Sequence, residues 1–192
     1  MTMPAERAAE ATTVTALAGL RADVVARARR VRLLTCDVDG VLTDGRIYVD
    51  EHGRESKAFC ALDGVAMRLL ARAEIAVGWI TGSTAGAVAH RARQLGVSHL
   101  VQDASDKLTP WTRLCDELGL AADECAHIGD DLPDLPVLAV CGLAVTVPHA
   151  PARVLAQAHY VTRRDGGSGA VREIVDLILD AQGHGAVQAG AR

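Results

Sequence analysis

Short apolar runs alternate with amphipathic segments along most of the chain. Runs of four to eight residues are too short for ordinary buried helices and predict strands. We expect strands at residues 31–38, 75–80, 98–101, 125–128, 143–147 and 159–162. Between these runs, apolar side chains recur every three to four residues, as in helices that bury one face. We expect helices at residues 64–73, 84–95, 106–118, 132–140, 151–157 and 169–182.

The region after the first strand departs from this alternation. Residues 46–59 hold two extended runs around "DEHG", which predicts a β-hairpin. Asp63 is expected to cap the helix that follows it. Because strands that alternate with helices form a parallel sheet covered on both faces, we expect an α/β domain with a mainly parallel sheet over residues 31–183. Residues 1–30 are expected to form a helical or partly ordered arm, and residues 184–192 a frayed tail.

Composition and charge argue against several classes of protein. The formal net charge is −4 and no strongly basic block occurs, so a nucleic-acid partner is not expected. No apolar run reaches the roughly 18 residues of a membrane span, and the N-terminus lacks the apolar core of a signal peptide. The 5 cysteines are widely spaced without a CxxC pair, which favours free thiols in a reducing compartment. We therefore expect a cytoplasmic protein without a membrane partner.

Acidic and polar side chains follow several of the predicted strands. "CDVDGVLTDG" (36–45) comes after the first strand and places Asp37 and Asp39 one residue apart. "TGS" (81–83) follows a second strand, Lys107 lies in the loop after a third, and "GDDLPD" (129–134) follows a fourth. In parallel sheets, ligands bind at the carboxyl ends of the strands. We expect these groups to meet at one edge of the sheet.

The acids suit a site for a hard metal ion and a phosphate. Mg²⁺ prefers carboxylate oxygens, water and phosphate as ligands. Asp37 and Asp130 can supply carboxylates from neighbouring strands, and the backbone carbonyl of Asp39 can supply a third oxygen. Asp131 and Asp134 are expected to support this site from behind, with Asp134 holding a metal-bound water or orienting the lysine.

The same residues predict phosphoryl transfer. With a metal offsetting the repulsion between phosphate and carboxylate, Asp37 is a credible nucleophile that forms an aspartyl-phosphate. Asp39 would protonate the leaving sugar oxygen and then activate the hydrolytic water. Thr81 and the amides near Gly82 would hold phosphate oxygens, and Lys107 would pair with the phosphate and with Asp37.

These motifs resemble those of the haloacid dehalogenase superfamily of phosphohydrolases. The matching stretches are "DVDGV" (37–41), "ITG" (80–82), Lys107 and "GDDLPD" (129–134). Longer strings, such as "HYVTRRDGGSGAVREIVDLIL", resemble the family of 3-deoxy-D-manno-octulosonate 8-phosphate phosphatases over roughly residues 31–183. The resemblance implies a Rossmann-like fold and a Mg²⁺-dependent phosphatase that acts on an eight-carbon sugar acid phosphate for lipopolysaccharide synthesis. It also implies a homotetramer in which a neighbouring subunit roofs the active site.

The resemblance extends to substrate contacts, with two departures. The implied contacts are Asp39, Cys60, Asp63, Gly64, Arg68, Gly82, Ser83, Arg91 and Lys107. Cys60 stands where the family commonly has asparagine, and Ser83 stands where it commonly has arginine after "ITG". Because an arginine would be a natural partner for an anionic group, a different sugar acid phosphate stays open as a substrate, such as a nonulosonate 9-phosphate.

The spacing of the motifs leaves no room for a separate cap domain. Only a hairpin and one helix fit between Asp37 and Thr81, and only a helix and a strand fit between Thr81 and Lys107. A capless site needs other cover, which hairpin 46–59 could provide in an oligomer. The alternative from a different class is a non-catalytic, oligomeric binding subunit. Mg²⁺-dependent phosphate release that Asp37→Asn abolishes would separate the two.

Overall fold

The structure is a computed structural model, and it describes residues 19–184. Residues 1–18 of the predicted arm and 185–192 of the predicted tail lie outside this part of the chain. The described end of the arm contains a short helix, α1 (Ala22–Ala28), which buries Val24 and Ala28 in the core. The N-terminal segment is thus joined to the domain at least from this helix onward.

Six strands form one parallel sheet in the order β5-β4-β1-β6-β7-β8. They are β1 (Leu33–Cys36), β4 (Ala76–Ile80), β5 (His99–Val101), β6 (Cys125–Ile128), β7 (Leu143–Thr146) and β8 (Tyr160–Val161). β2 (Tyr48–Val49) and β3 (Glu55–Ser56) form the predicted antiparallel hairpin. Every predicted strand is present within its expected bounds, and the α/β fold is confirmed. β1 is the fully buried centre of the sheet, between β4 and β6.

The strand order places helices on both faces of the sheet. The remaining helices are α2 (Ala61–Arg72), α3 (Gly86–Leu95), α4 (Leu108–Leu118), α5 (Leu135–Leu138), α6 (Ala152–Gln157) and α7 (Ala170–Ala181). The chain builds outward from β1 to β5 and then returns to β6 on the other side of β1. Because parallel crossovers are right-handed, this reversal moves α4, α5 and α6 to the face opposite α2 and α3. α7 packs on α1 and α2. The reversal also makes the carboxyl end of β1 the expected ligand site.

The continuous helix predicted at residues 132–140 is wrong. A 3₁₀ turn at Leu132–Asp134 leads into the single-turn helix α5. Pro133 and Pro136 lie at the starts of these two elements. A proline has no N–H for a helical hydrogen bond, so it is accepted at a first turn and opposes a longer uninterrupted helix.

The prediction that Asp63 caps α2 is also wrong. α2 begins at Ala61, three residues before the predicted start, and Asp63 is a buried residue of its first turn. The Asp63 carboxylate accepts a hydrogen bond of 2.7 Å from the backbone N–H of Arg172, in the first turn of α7. Asp63 therefore caps a different helix, whose own N-cap residue, Gly169, has no side chain to offer.

Candidate active site

A cavity of about 480 Å³ opens at the carboxyl edge of the sheet. It lies where the strand order reverses, so the fold and the cavity indicate the same place. From the predicted site, it brings together Asp37, Asp39, Thr81, Gly82, Ser83, Lys107, Asp130, Asp131 and Asp134. These residues come from four separate strand ends, as the sequence predicted.

Asp37 is fixed by the sheet itself. It directly follows β1, and its backbone N–H donates to the carbonyl of Ile128 at 2.9 Å, which extends the pairing of β1 with β6 by one residue. Its side chain is only about a tenth exposed. Burial and the nearby charge of Asp134 raise the pKa of Asp37, while Lys107 acts in the opposite direction. Positive charge in addition to Lys107 would therefore favour the carboxylate form.

Lys107 bridges two carboxylates at the N-terminus of α4. Its Nζ lies 2.9 Å from Oδ1 of Asp37 and 2.7 Å from Oδ1 of Asp134. The side chain is buried, which opposes its charge, but the two carboxylates outweigh this effect and raise the pKa of Lys107. The lysine is thus a fixed ammonium group that holds one oxygen of Asp37 in place.

Asp134 connects this lysine to a buried polar chain in the sheet. Its Oδ1 lies 3.0 Å from Nε2 of His127, and Nδ1 of His127 lies 2.9 Å from Oγ1 of Thr35. A carboxylate only accepts hydrogen bonds, so Nε2 of His127 donates. Burial disfavours the charge of Asp134, but the hydrogen bond from His127 and the ammonium of Lys107 lower its pKa. The network reaches from β1 through β6 to the cavity, and each of its side chains has a hydrogen-bond or ionic partner.

Asp130 supplies a third carboxylate with an unused oxygen. Burial, followed by the charges of Asp37 and Asp134, raises its pKa to about 8. Its Oδ1 is buried and finds no hydrogen-bond partner within residues 19–184. One oxygen from each of Asp37, Asp130 and Asp134 can be chosen so that all three lie within 4.8 Å of one another. Such a set of hard oxygen donors, one of them orphaned, suits a divalent cation that offsets their repulsion.

Gly40 allows the loop after β1 to pass over Asp130. Its φ of +86° lies in the left-handed region, and a Cβ at this position would lie 2.0 Å from Oδ2 of Asp130. The loop is met from the other side by Gly166, whose own Cβ would lie 1.7 Å from the carbonyl oxygen of Gly40. The Gly40 loop thus lies against the Asp130 side chain on one side and against the backbone of the Gly166 loop on the other, with no space for a side chain at either glycine.

Thr81 and its neighbours form a tight turn after β4. The backbone N–H of Thr81 donates to the carbonyl of Val101 at 3.0 Å, which fixes its place at the strand end. Oγ1 of Thr81 accepts from the N–H of Ser83 at 3.1 Å. The Ser83 hydroxyl in turn accepts from the N–H of Ala85, so Ser83 serves the local turn while it lines the cavity.

Asp39 has a partner that the sequence did not reveal. Its Oδ1 lies 2.5 Å from Nζ of Lys57, which follows β3 in the hairpin. The Lys57 side chain is 3% exposed, although the hairpin around it is exposed. A lysine in a polar hairpin is ordinarily solvated, and the sequence carries no signal that this one turns inward. His127 was missed for a similar reason, because its contacts depend on strand pairing.

The remaining predicted substrate contacts lie apart from the cavity in this chain. Cys60, Asp63, Gly64 and Arg91 line a separate narrow gap. The guanidinium of Arg91 is 6.0 Å from the ring centre of Phe59 and donates to Gln94 at 2.6 Å. Arg68 is exposed on α2. Their assignment as substrate contacts stays a prediction, as does the backbone oxygen of Asp39 as a metal ligand.

The fold and the residues at the sheet edge define a class of protein, the haloacid dehalogenase-like hydrolases, whose family description matches residues 87–174. Two relatives extend the match. The 3-deoxy-D-manno-octulosonate 8-phosphate phosphatase KdsC of Yersinia pestis is 50% identical over 160 residues, which cover 83% of this chain and 86% of the relative. KdsC of Escherichia coli K12 is 45% identical over 175 residues, which cover 91% of this chain and 93% of the relative. The chain belongs to the 3-deoxy-D-manno-octulosonate 8-phosphate phosphatase family.

Solved structures give the same result for the fold. The crystal structure of the Yersinia pestis phosphatase superposes with a TM-score of 0.84 at 49% identity and covers 85% of this chain and 89% of that one. The phosphatase of Moraxella catarrhalis, in complex with a magnesium ion, a phosphate ion and a KDO molecule, superposes with a TM-score of 0.85 at 39% identity, covering 87% and 96%. The chain is thus a phosphoric monoester hydrolase by family. Among the helices of residues 19–184, none is both long and apolar enough to cross a bilayer.

Proposed function

We propose that this enzyme hydrolyses 3-deoxy-D-manno-octulosonate 8-phosphate to the free sugar acid and phosphate, with Mg²⁺ as cofactor. The observation that carries the proposal is the Asp37 carboxylate at the end of β1, held by Lys107 at 2.9 Å beside Asp130 and open to the cavity. The relatives at 45–50% identity are named for this activity. The Moraxella catarrhalis structure holds the ion and both products of such a reaction.

In this proposal Asp37, Asp130 and the backbone carbonyl of Asp39 hold Mg²⁺, with Asp131 and Asp134 behind them. The orphaned oxygen and the raised pKa of Asp130 support this assignment, because both are expected of a ligand seen without its cation. When bound, the ion supplies positive charge that favours ionised carboxylates and draws the phosphate towards them.

Asp37 is the proposed nucleophile. One of its oxygens attacks phosphorus, and the bond from phosphorus to the sugar oxygen breaks, which leaves an aspartyl-phosphate. Lys107 holds Oδ1 of the nucleophile and pairs with the phosphate, while the hydroxyl of Thr81 and the amide of Gly82 bind phosphate oxygens. Each of these groups lines the same cavity.

Asp39 is the proposed acid and base. It delivers a proton to the departing sugar oxygen and then accepts a proton from the water that attacks phosphorus. The bond between Asp37 and phosphorus breaks in this second step, which frees phosphate, restores the Asp37 carboxylate and leaves Asp39 protonated as it began. Asp39 lines the cavity two residues from the nucleophile and is a third exposed, so a leaving group can reach it.

The proposal includes a homotetramer in which hairpin 46–59 covers a neighbour's site. Three consecutive apolar residues of the hairpin, Ile47, Tyr48 and Val49, are exposed by 70%, 44% and 58%. Such a contiguous apolar run is typical of a contact surface. Arg68 and Arg91 would bind the sugar acid together with Cys60 and Asp63. Within one chain these residues lie apart from the cavity, and a neighbouring subunit would complete the pocket that joins them to it.

A cytoplasmic location forms part of this proposal. Every cysteine within residues 19–184 is a free thiol, and four of these thiols are buried. Free core cysteines are typical of proteins in reducing compartments.

A nonulosonate 9-phosphate is the second candidate substrate, because Ser83 provides no cation at a position where the family commonly has one. Phosphate release with Mg²⁺ should be measured on the octulosonate 8-phosphate, a nonulosonate 9-phosphate and simple hexose phosphates. We expect the highest kcat/KM for the octulosonate, and none after chelation or in Asp37→Asn. A higher kcat/KM for the nonulosonate would replace the proposed substrate, and turnover by Asp37→Asn would overturn the nucleophile.

A further inference from the structure

Lys57 is a buried cation at the edge of an exposed hairpin. Its side chain is 3% exposed, whereas Glu55, Ser56 and Ala58 beside it are exposed. A lysine in such a place normally extends its ammonium group into water, because burial of the charge is costly. Here the side chain instead turns towards the cavity, which requires an anion at its end.

That anion is the carboxylate of Asp39. The distance from Nζ to Oδ1 is 2.5 Å, whereas the nearest oxygen of Glu55 lies at 3.7 Å. Within residues 19–184, Lys57 is also the one side chain that pairs with Asp39. The orientation of the Asp39 carboxylate therefore depends on Lys57.

The two lysines of the site hold different carboxylates. Lys107 contacts Asp37 and Asp134 and has no part in the contact with Asp39. Loss of Lys107 would affect attack on every phosphate ester. Loss of Lys57 would affect the two proton transfers of Asp39. The first of them, to the leaving oxygen, matters most when that oxygen is strongly basic.

We propose that Lys57 is a positioning residue for Asp39. Its ammonium group holds Oδ1, so that Oδ2 is presented to the oxygen of the leaving alcohol and later to the hydrolytic water. This inference rests on the proposed function, in which Asp39 is the acid and base. The hairpin thereby contributes to the chemistry within its own chain, whatever cover it gives elsewhere.

The test compares two leaving groups in Lys57→Met, a neutral side chain of similar length. The leaving oxygen of a sugar phosphate is strongly basic and needs a proton, whereas p-nitrophenolate departs without one. We expect kcat/KM, which reports the step in which the leaving group departs, to fall about 100-fold on the phosphorylated sugar acid and less than about 3-fold on p-nitrophenyl phosphate. Lys57→Arg should recover most of the loss, since it restores a cation near Oδ1.

Arg113→Met is the control. It removes one positive charge from the exposed face of α4, outside the hairpin and away from the cavity. We expect a change below about 2-fold on both substrates, because exposed substitutions away from a site have small effects. The mass of each variant in solution should be checked by light scattering, so that a change of assembly is not read as a change of chemistry.

A double-mutant cycle keeps the test decisive even where Lys57→Met is less stable. If Lys57 acts through Asp39, Lys57→Met should cause no further loss of kcat in an Asp39→Asn background. Equal losses of kcat/KM on both leaving groups, a raised KM with unchanged kcat on the sugar acid phosphate, or additive losses in the cycle would each overturn the positioning role. Absence of phosphate release by the wild-type enzyme on every substrate would instead overturn the proposed function.

Discussion

The two lysines of the site are held by very different parts of the molecule. Lys107 begins helix α4 and lies between buried carboxylates, with His127 and Thr35 behind them in the centre of the sheet. Lys57 comes from a hairpin whose two strands have two residues each, all of them exposed. A hairpin of this size is marginal on its own in water. The proposed nucleophile is therefore preorganised by the core, whereas the position of the proposed acid and base depends on the exposed hairpin.

The largest effect on turnover is expected from Lys107→Met, at the lysine that the sheet holds, which we call the sheet side of the site. It leaves Asp37 and Asp134 buried without their ammonium partner, which costs about 3–5 kcal/mol when one member of a buried pair is removed. We expect kcat for phosphate release to fall about 1,000-fold, and the melting temperature to fall as well. A variant that kept a tenth of wild-type turnover would show that the sheet side is not the dominant one.

A smaller loss is expected from His127→Leu, which removes the hydrogen bond to Asp134 in the core. A hydrogen bond to a charged group contributes about 2 kcal/mol, so the melting temperature should fall by about 4–8 °C. His127→Gln retains an amide donor and should recover part of this loss. Equal melting temperatures for the wild type and the leucine variant would mean that Lys107 alone is enough to hold Asp134.

The pH dependence of stability should reveal the buried carboxyl group of Asp63, which links α2 to α7. Burial raises the pKa of Asp63 to about 6, above its unfolded value of 3.8. Its protonated form therefore favours folding, and this contribution is complete below about pH 4 and lost as the pH rises through 6. From pH 5 to 7, the wild type should lose about 1 kcal/mol of unfolding free energy relative to Asp63→Asn. Parallel pH profiles from chemical denaturation would contradict this.

The smallest effect on the stability of one chain is expected from the first strand of the hairpin. Ile47→Ser combined with Val49→Ser changes side chains that are 70% and 58% exposed, so the fold of a single chain should change by less than about 0.5 kcal/mol. The mass in solution should nevertheless fall to a smaller multiple of the chain, as measured by light scattering. Thr112→Ala, on the exposed face of α4, is a control that should leave the mass unchanged. A full-sized oligomer from the double variant would exclude the hairpin as the contact.

The sheet side was predictable from sequence because its chemistry follows strand ends. β6 matches the prediction residue for residue, and the place of "GDDLPD" at its end needed only the rule that parallel strands share an edge. The split of the predicted helix at residues 132–140 was less accessible, because a proline is accepted in the first turn of a long helix as well as at the start of a short one.

The hairpin side was predictable as an element but not as a contributor to the site. Its turn and alternation indicate two strands, while the inward direction of Lys57 depends on where the folded loop after β1 places Asp39. Asp63 shows the same limit, because its capping partner Arg172 is more than one hundred residues away in sequence. Pairings between distant segments leave no mark in local periodicity.

Gly40 also decides how the enzyme can vary. It bears no functional group, yet a methyl group at Gly40 would displace the Asp130 side chain, and a methyl group at Gly166 would collide with the carbonyl of Gly40. We expect substitutions of Gly40 to abolish phosphate release as Asp37→Asn does, although they alter no reacting atom. The acidic motif after β1, the acidic motif after β6 and the glycine loop before α7 pack against one another. A substitution in one of them is therefore expected to require a compensating change in another.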